Sequence, residues 1–302
     1  MIKMSRSGKP LVFSLAFVGL LLAVRIYLQP RPSPPHVVRV DPDDRELVRA
    51  SLSASVVDRP GLIRSLASKR VILVGESHFI EEPQAWLRDL LRDLHGGDGR
   101  RAVLALELPR GGQSRLDRFM ASGKESDLES AFGWGALPYH STVRWARTHP
   151  EAVAQVIACD EEPWRTGLMR LFLTDTRNDT MARAVADAAR RNPGLRIVVY
   201  GGSLHMMKAG RYLYDSDTRR PIGQRLPSLG IPPHETAAVW LFAGPDPVDG
   251  VWEAKGSLDL GGPAGDLPLS RIEETRIHGV EKFREVVDFA VHLGPATRIR
   301  GH

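Results

Sequence analysis

After residue 70 the chain is punctuated by short, unbroken apolar runs, and several of them stop abruptly on charged or glycine residues. Val71-Ile72-Leu73-Val74 is such a run, too short for a helix and lacking the alternation of a half-exposed strand, so it predicts a strand buried on both faces. Residues 102–106, 153–158, 195–200, 237–242 and 286–293 predict five more. Helical periodicity lies between them. Residues 83–94 place Trp86, Leu87, Leu90, Leu91 and Leu94 on one face, and 176–191 carry Met181, Val185, Ala188 and Ala189 inward. Alternation of buried strands with amphipathic helices predicts an α/β fold with a largely parallel central sheet flanked by helices. Residues 111–150 read as a helical insertion, and 244–270, dense in Gly, Pro and Asp, as an irregular excursion.

The N-terminus follows a different pattern. Lys3, Arg6 and Lys9 precede an apolar run over 11–24, which Arg25 interrupts and Ile26-Tyr27-Leu28 extends. A basic flank before such a run is the form of an export signal, and with Arg25 snorkelling the stretch 11–28 is just long enough to span a bilayer. Bulky residues around Arg25 offer no small-x-small cleavage site, so residues 1–29 are expected to act as an uncleaved signal anchor rather than a cleaved peptide. The basic flank would stay cytoplasmic, leaving the domain outside the inner membrane; cleavage would instead give a secreted or periplasmic protein. Pro30, Pro32, Pro34 and Pro35 make residues 30–45 a stiff linker, and 46–300 the domain proper.

Composition narrows the classes further. With 302 residues, 42% hydrophobic and 25% charged, the chain is an ordinary globular one, neither disordered nor multi-spanning. Cys159 is the single cysteine, so no internal disulfide supports the fold. The net charge of +5 is mild and spread, without the basic stripe and interleaved aromatics of a nucleic-acid surface. No nucleic-acid partner is expected.

Chemistry collects where the strands stop. In open α/β sheets ligands lie beyond the carboxyl ends of the strands. Here those ends carry Gly75-Glu76-Ser77-His78, then Glu107, then Cys159-Asp160, then Gly201-Gly202-Ser203-Leu204-His205. If the strands are parallel neighbours, glutamates, histidines and an aspartate converge on one crevice. Glu76 and His78, two apart, share a side of an extended segment. Gly75, Gly201 and Gly202 permit close backbone approach or positive φ beside it. Carboxylates with imidazoles suit general acid/base work or a metal-bound water. Each residue also has an ordinary structural reading. Glu76 could cap the next helix, Glu107 could pair with a buried arginine, and Arg177 could be one end of a structural salt bridge. Asp179 could be the third residue of a capping box begun by Thr176, and Cys159 a small buried hydrophobe. The joint placement at successive strand ends is what favours a site.

These segments, in order, resemble a known superfamily. Gly75-Glu76-Ser77-His78 is similar to the GExH signature of the ChaN-like, haem-binding-uptake group, which is grouped with the Tiki proteins and the erythromycin esterases. Leu106-Glu107 resembles its second-strand glutamate, Arg177-Asn178-Asp179-Thr180-Met181-Ala182 its R-(x)-D-x-x-M-A helix start, and Gly201 to His205 its fourth strand end. The resemblance covers about residues 65–295. Erythromycin esterases space the first motif as G-E-x-x-H, whereas only Ser77 separates Glu76 from His78 here. ChaN-type proteins hold haem iron by tyrosine, and Tyr139, Tyr200, Tyr212 and Tyr214 match none of its motifs.

The resemblance and the residues together imply a hydrolase acting on a small-molecule or peptide substrate. Glu76 or Glu107 would be the base on water, His78 and His205 would position it, and Arg177 and Asp179 would complete the catalytic set. A divalent ion (Mn, Co or Zn) held by His78, His205 and Glu107 is one form of that reading. The competing form is non-enzymatic, a protein that takes haem or another flat ligand into the crevice or into the interface of a homodimer.

Overall fold

The computed structural model describes residues 40–132, 139–162, 177–214, 217–244, 251–252, 255–269 and 277–299. The candidate membrane segment 11–28 and Thr176 lie outside these residues, and among the described residues no helix is long and apolar enough to cross a membrane.

All six expected strands form, and they lie side by side in one sheet. In chain order the strands are β1 (Val56–Val57), β2 (Val71–Glu76), β3 (Ala102–Pro109), β4 (Val153–Asp160), β5 (Arg196–Gly202), β6 (Arg211–Tyr214), β7 (Asp217–Arg219), β8 (Thr236–Phe242), β9 (Gly256–Asp259), β10 (Ile277–His278) and β11 (Phe289–His292). The main sheet runs β1-β9-β11-β8-β2-β5-β3-β4. From β11 to β4 every pairing is parallel, and β9 and β1 close the other edge in antiparallel fashion. Strands β10, β6 and β7 form a separate small antiparallel sheet.

The helices are α1 (Arg45–Ser53), α2 (Arg59–Ala67), α3 (Glu81–Asp98), α4 (Gln113–Ser122), α5 (Glu125–Phe132), α6 (His140–Thr148) and α7 (Arg177–Arg191), with short turns at Ile222–Arg225 and Phe283–Val286. Both faces of the sheet are covered, which is why its strands read as continuous apolar runs. Val71, Leu73, Val103, Ile197 and Val199 face a core shared with Met181, Val185 and Ala188 of α7. Ile72, Val74, Leu104, Leu106 and Val198 face the opposite core, filled by Trp86, Leu87, Leu90, Leu91 and Leu94 of α3. Helix α3 stops at Gly99, whose left-handed φ of 70° lets its amide reach the His95 carbonyl at 2.7 Å.

Two sequence expectations change. The stretch 244–270 contains β9 and a 3-10 turn at Pro263–Asp266, so it is partly regular. The last strand begins at Phe289, because residues 283–286 form a helical turn ahead of it. Between β3 and β4 the chain runs through α4, α5 and α6.

Candidate functional site

The register of the sheet sets the site. Gly75 lies opposite Gly201 and Glu76 opposite Gly202 across the β2–β5 pairing, while β3 borders β5 on its far side. The ends of β2, β5, β3 and β4 are therefore successive neighbours, and Glu76, Gly201-Gly202, Glu107 and Asp160 stand in one row. Glycine supplies the room. A Cβ on Gly201 would lie 2.4 Å from Glu107 Oε2, one on Gly202 2.9 Å from His78 Nε2, and one on Gly75 2.7 Å from the Ser203 Cα. None of the three has a left-handed φ, so of the two roles expected for them the structure uses close approach.

Two buried carboxylates share one guanidinium. Arg177 donates from Nε and Nη2 to the two oxygens of Asp160, at 2.8 and 2.6 Å, and from Nη2 to Glu107 Oε1 at 2.5 Å. Glu107 Oε2 also accepts from the Gly202 amide at 2.6 Å. Burial pushes the Glu107 carboxyl up, but the charges of His205, Arg177 and His78 and the Gly202 amide outweigh it and hold the group well below the usual range. For Asp160 burial wins and its pKa is raised despite Arg177. Burial lowers the pKa of Arg177, yet Glu107 and Asp160 keep the guanidinium firmly charged. Removing Arg177 would leave two buried carboxylates uncompensated, a loss of about 3–5 kcal/mol, so its structural reading is realised together with its place in the site.

The histidines differ. His78, in the turn after β2, has its ring 41% exposed; Nδ1 bonds Glu76 Oε1 at 2.8 Å, and Nε2 lies 3.9 Å from Glu107 Oε2. Partial burial disfavours its charge, but Glu107 and Glu76 dominate and raise its pKa to about 9. His205 is buried, with Nδ1 2.6 Å from Asn178 Oδ1 and 3.0 Å from the Tyr212 hydroxyl. Asn178 Nδ2 donates to the Arg220 carbonyl at 2.7 Å, which can only accept. That contact turns Oδ1 towards His205, so Nδ1 carries a proton, and Nε2 lies 3.6 Å from Glu107 Oε1 and 3.4 Å from Arg177 Nη1.

Glu76, His78, Glu107, Arg177 and His205 are thus brought together. Asp179 is not among them; it pairs with Arg225. Asp160, the aspartate expected at the third strand end, joins the cluster, and Asn178 and Tyr212 enter it without having been named as site residues. Asn178 lies three residues before Met181 and seven before Val185, in phase with the buried stripe of α7, and that spacing was the available signal. Cys159 gives its thiol to the Leu106 carbonyl at 3.0 Å, and burial pushes it up, so it is a core residue.

The donor set does not fit the expected divalent metal. The guanidinium of Arg177 stands between Glu107 and Asp160 and against His205, where a cation would have to sit. Among the described residues no group of three or more His, Cys, Asp or Glu side chains converges as a ligand set. Among the described side chains a tyrosine-ligated haem fits no better. Tyr139, Tyr200 and Tyr212 are buried, and Tyr212 is committed to His205 and Asn178.

Gly201→Ala should therefore destabilise by about 1–3 kcal/mol in chemical denaturation, since Glu107 cannot withdraw without giving up the Gly202 amide. Because the folded-state pKa of His78 is raised, its contribution to stability is complete below pH 6.5 and fades as pH rises through about 9. Unfolding free energy should fall over that window in the wild type, and His78→Ala should flatten the fall.

Comparison with known proteins agrees with this architecture. A family model described as haem-binding uptake, Tiki superfamily, ChaN matches residues 62–162, from α2 to the end of β4. No curated protein matches the chain. Among solved structures, an erythromycin esterase variant in its open conformation superposes with a TM-score of 0.60 at 14% identity, covering 84% of this chain and 98% of that one. A succinoglycan biosynthesis protein gives 0.59 at 11% identity, over 86% of this chain and 100% of the other. A Bacillus cereus protein gives 0.55 at 11%, over 85% and 99%. At such identities the likeness is one of fold. The chain thus resembles the haem-binding-uptake, Tiki and ChaN family over residues 62–162, and over most of its length it shares a fold with an erythromycin esterase.

Proposed function

We propose that the domain is a hydrolase in which His78 is the general base. The observation that carries this is the Glu76–His78 pair: a buried carboxylate bonds Nδ1 while the ring stays 41% exposed. A carboxylate behind an imidazole fixes the tautomer and stabilises the imidazolium formed when the ring takes a proton. The proton would come from a water held against Nε2. Of the two bases expected from the sequence, Glu76 is committed to His78 Nδ1, and Glu107 is already bound by Arg177 and the Gly202 amide and is a poor acceptor. Arg177 has its Nε and Nη2 donors on carboxylates, so its part is to keep Glu107 and Asp160 charged and in place. His205, with Nδ1 anchored, lines the same crevice.

The test is hydrolysis of p-nitrophenyl esters over pH 6–10 in the presence of a chelator. The wild-type rate should rise with pH up to about 9, following the loss of the His78 proton. Glu76→Gln removes a charge that raises the His78 pKa, so the inflection should move to lower pH. His78→Ala should lose about 10²–10⁴-fold in kcat/KM, with His140→Ala as the control. Rates in the two alanine variants that match each other would defeat the reading. The description of the matching family favours a second reading, haem uptake in the same crevice. A Soret band at one equivalent of haemin that His78→Ala abolishes, with no ester turnover, would favour it.

The proposal extends to location. Lys3, Arg6 and Lys9 before the apolar stretch 11–28 support an anchor that holds the domain outside the inner membrane. The full chain should sediment with membranes while residues 36–302 remain in the supernatant, and a full chain found in the supernatant would contradict the anchor.

A further inference from the structure

Phe79 directly follows His78, and it is placed against its own preferences. Its φ is 66°, the only left-handed value among the described residues other than glycine, and the residue is 51% exposed. An aromatic residue in this region pays a steric penalty that glycine escapes, and an exposed ring gains little burial in return. The conformation is imposed from outside the turn. Ile299 donates its amide to the Phe79 carbonyl at 2.9 Å, and Ile80 bridges Arg298 in antiparallel fashion. Glu81 donates to the Thr297 carbonyl at 3.0 Å, and the Thr297 amide is received by the Glu82 carboxylate at 2.9 and 3.0 Å. The strand-like segment 297–299 thus clamps the chain from Phe79 to Glu82, where it leaves the turn. Strain that the surroundings over-determine is commonly found where a side chain must be presented rather than packed. The ring is presented next to the reactive imidazole: the His78 and Phe79 centroids are 6.3 Å apart at 71°, edge to face.

We infer that Phe79 is the apolar wall of the substrate crevice and selects substrates with an aliphatic or aromatic acyl group beside the bond attacked at His78. This rests on the hydrolase reading for the identity of that bond. It does not rest on it for the apolar contact.

Phe79→Gly tests it, since glycine accepts the left-handed backbone and removes only the ring. The melting temperature should stay level or rise. The ratio of kcat/KM for p-nitrophenyl octanoate over p-nitrophenyl acetate should fall by roughly tenfold, mainly through KM, and Phe79→Tyr should restore it. Calorimetric binding of octanoate, which needs no turnover, should weaken by a similar factor in Phe79→Gly. If the wild type cleaves neither ester, the hydrolase reading fails and octanoate binding alone decides the wall. A lower melting temperature in Phe79→Gly would show that the ring is held for packing, and overturn the inference. So would octanoate binding that is absent in the wild type or the same in both proteins.

Discussion

Glu107 and Asp160 end two neighbouring buried strands with their charges in the protein interior, and Arg177 is the group that makes this tolerable. A carboxylate taken out of water needs a partner in close geometry, and a two-point contact with one guanidinium is among the strongest available. Arg177 opens α7, so the same contact pins the start of that helix over β3 and β4. Asn178 follows immediately and orients His205, so the protonation of one ring depends on the residue next to the arginine. Core, helix placement and crevice chemistry meet at this one group.

Charge in the crevice is therefore largely spent inside it. Glu107 and Asp160 face Arg177, and Glu76 faces His78. The member of this set with both a raised pKa and an open ring is His78. In the hydrolase we propose, such a site would move protons at one position while the rest of its field stays fixed, which is electrostatic preorganisation in the ordinary sense.

The sheet was legible in the sequence because burial on both faces leaves an unbroken apolar run, as in Val71 to Val74. The edge was not. Strand β9 offers only Leu258 as a buried apolar residue, and β1 is two residues long. Strand ends could be read as a row of chemistry, and Glu76, His78, Glu107 and His205 came from that reading. The partners could not, because they depend on helix phase and on an unread sheet. Asn178 and Asp179 differ by about 100° around α7; the first turned to His205 and the second to Arg225. Tyr212 comes from β6, in the small antiparallel sheet. The metal expectation counted ligand types and missed that a guanidinium would take the cation's place.

The position of β5 has a consequence for how the protein is made. Strand β5 lies between β2 and β3, although the chain completes β2, β3 and β4 before reaching it. During synthesis β2 and β3 therefore wait with facing edges unpaired, and they cannot simply close on each other without excluding the strand that belongs there. The Gly202 amide that holds Glu107 arrives with that late strand. Residues 62–162, which carry the family's sequence pattern, end before it. The most recognisable part of the chain is thus an open half-sheet, exposed to mispairing until the rest emerges, and long-range parallel pairing of this kind is slow.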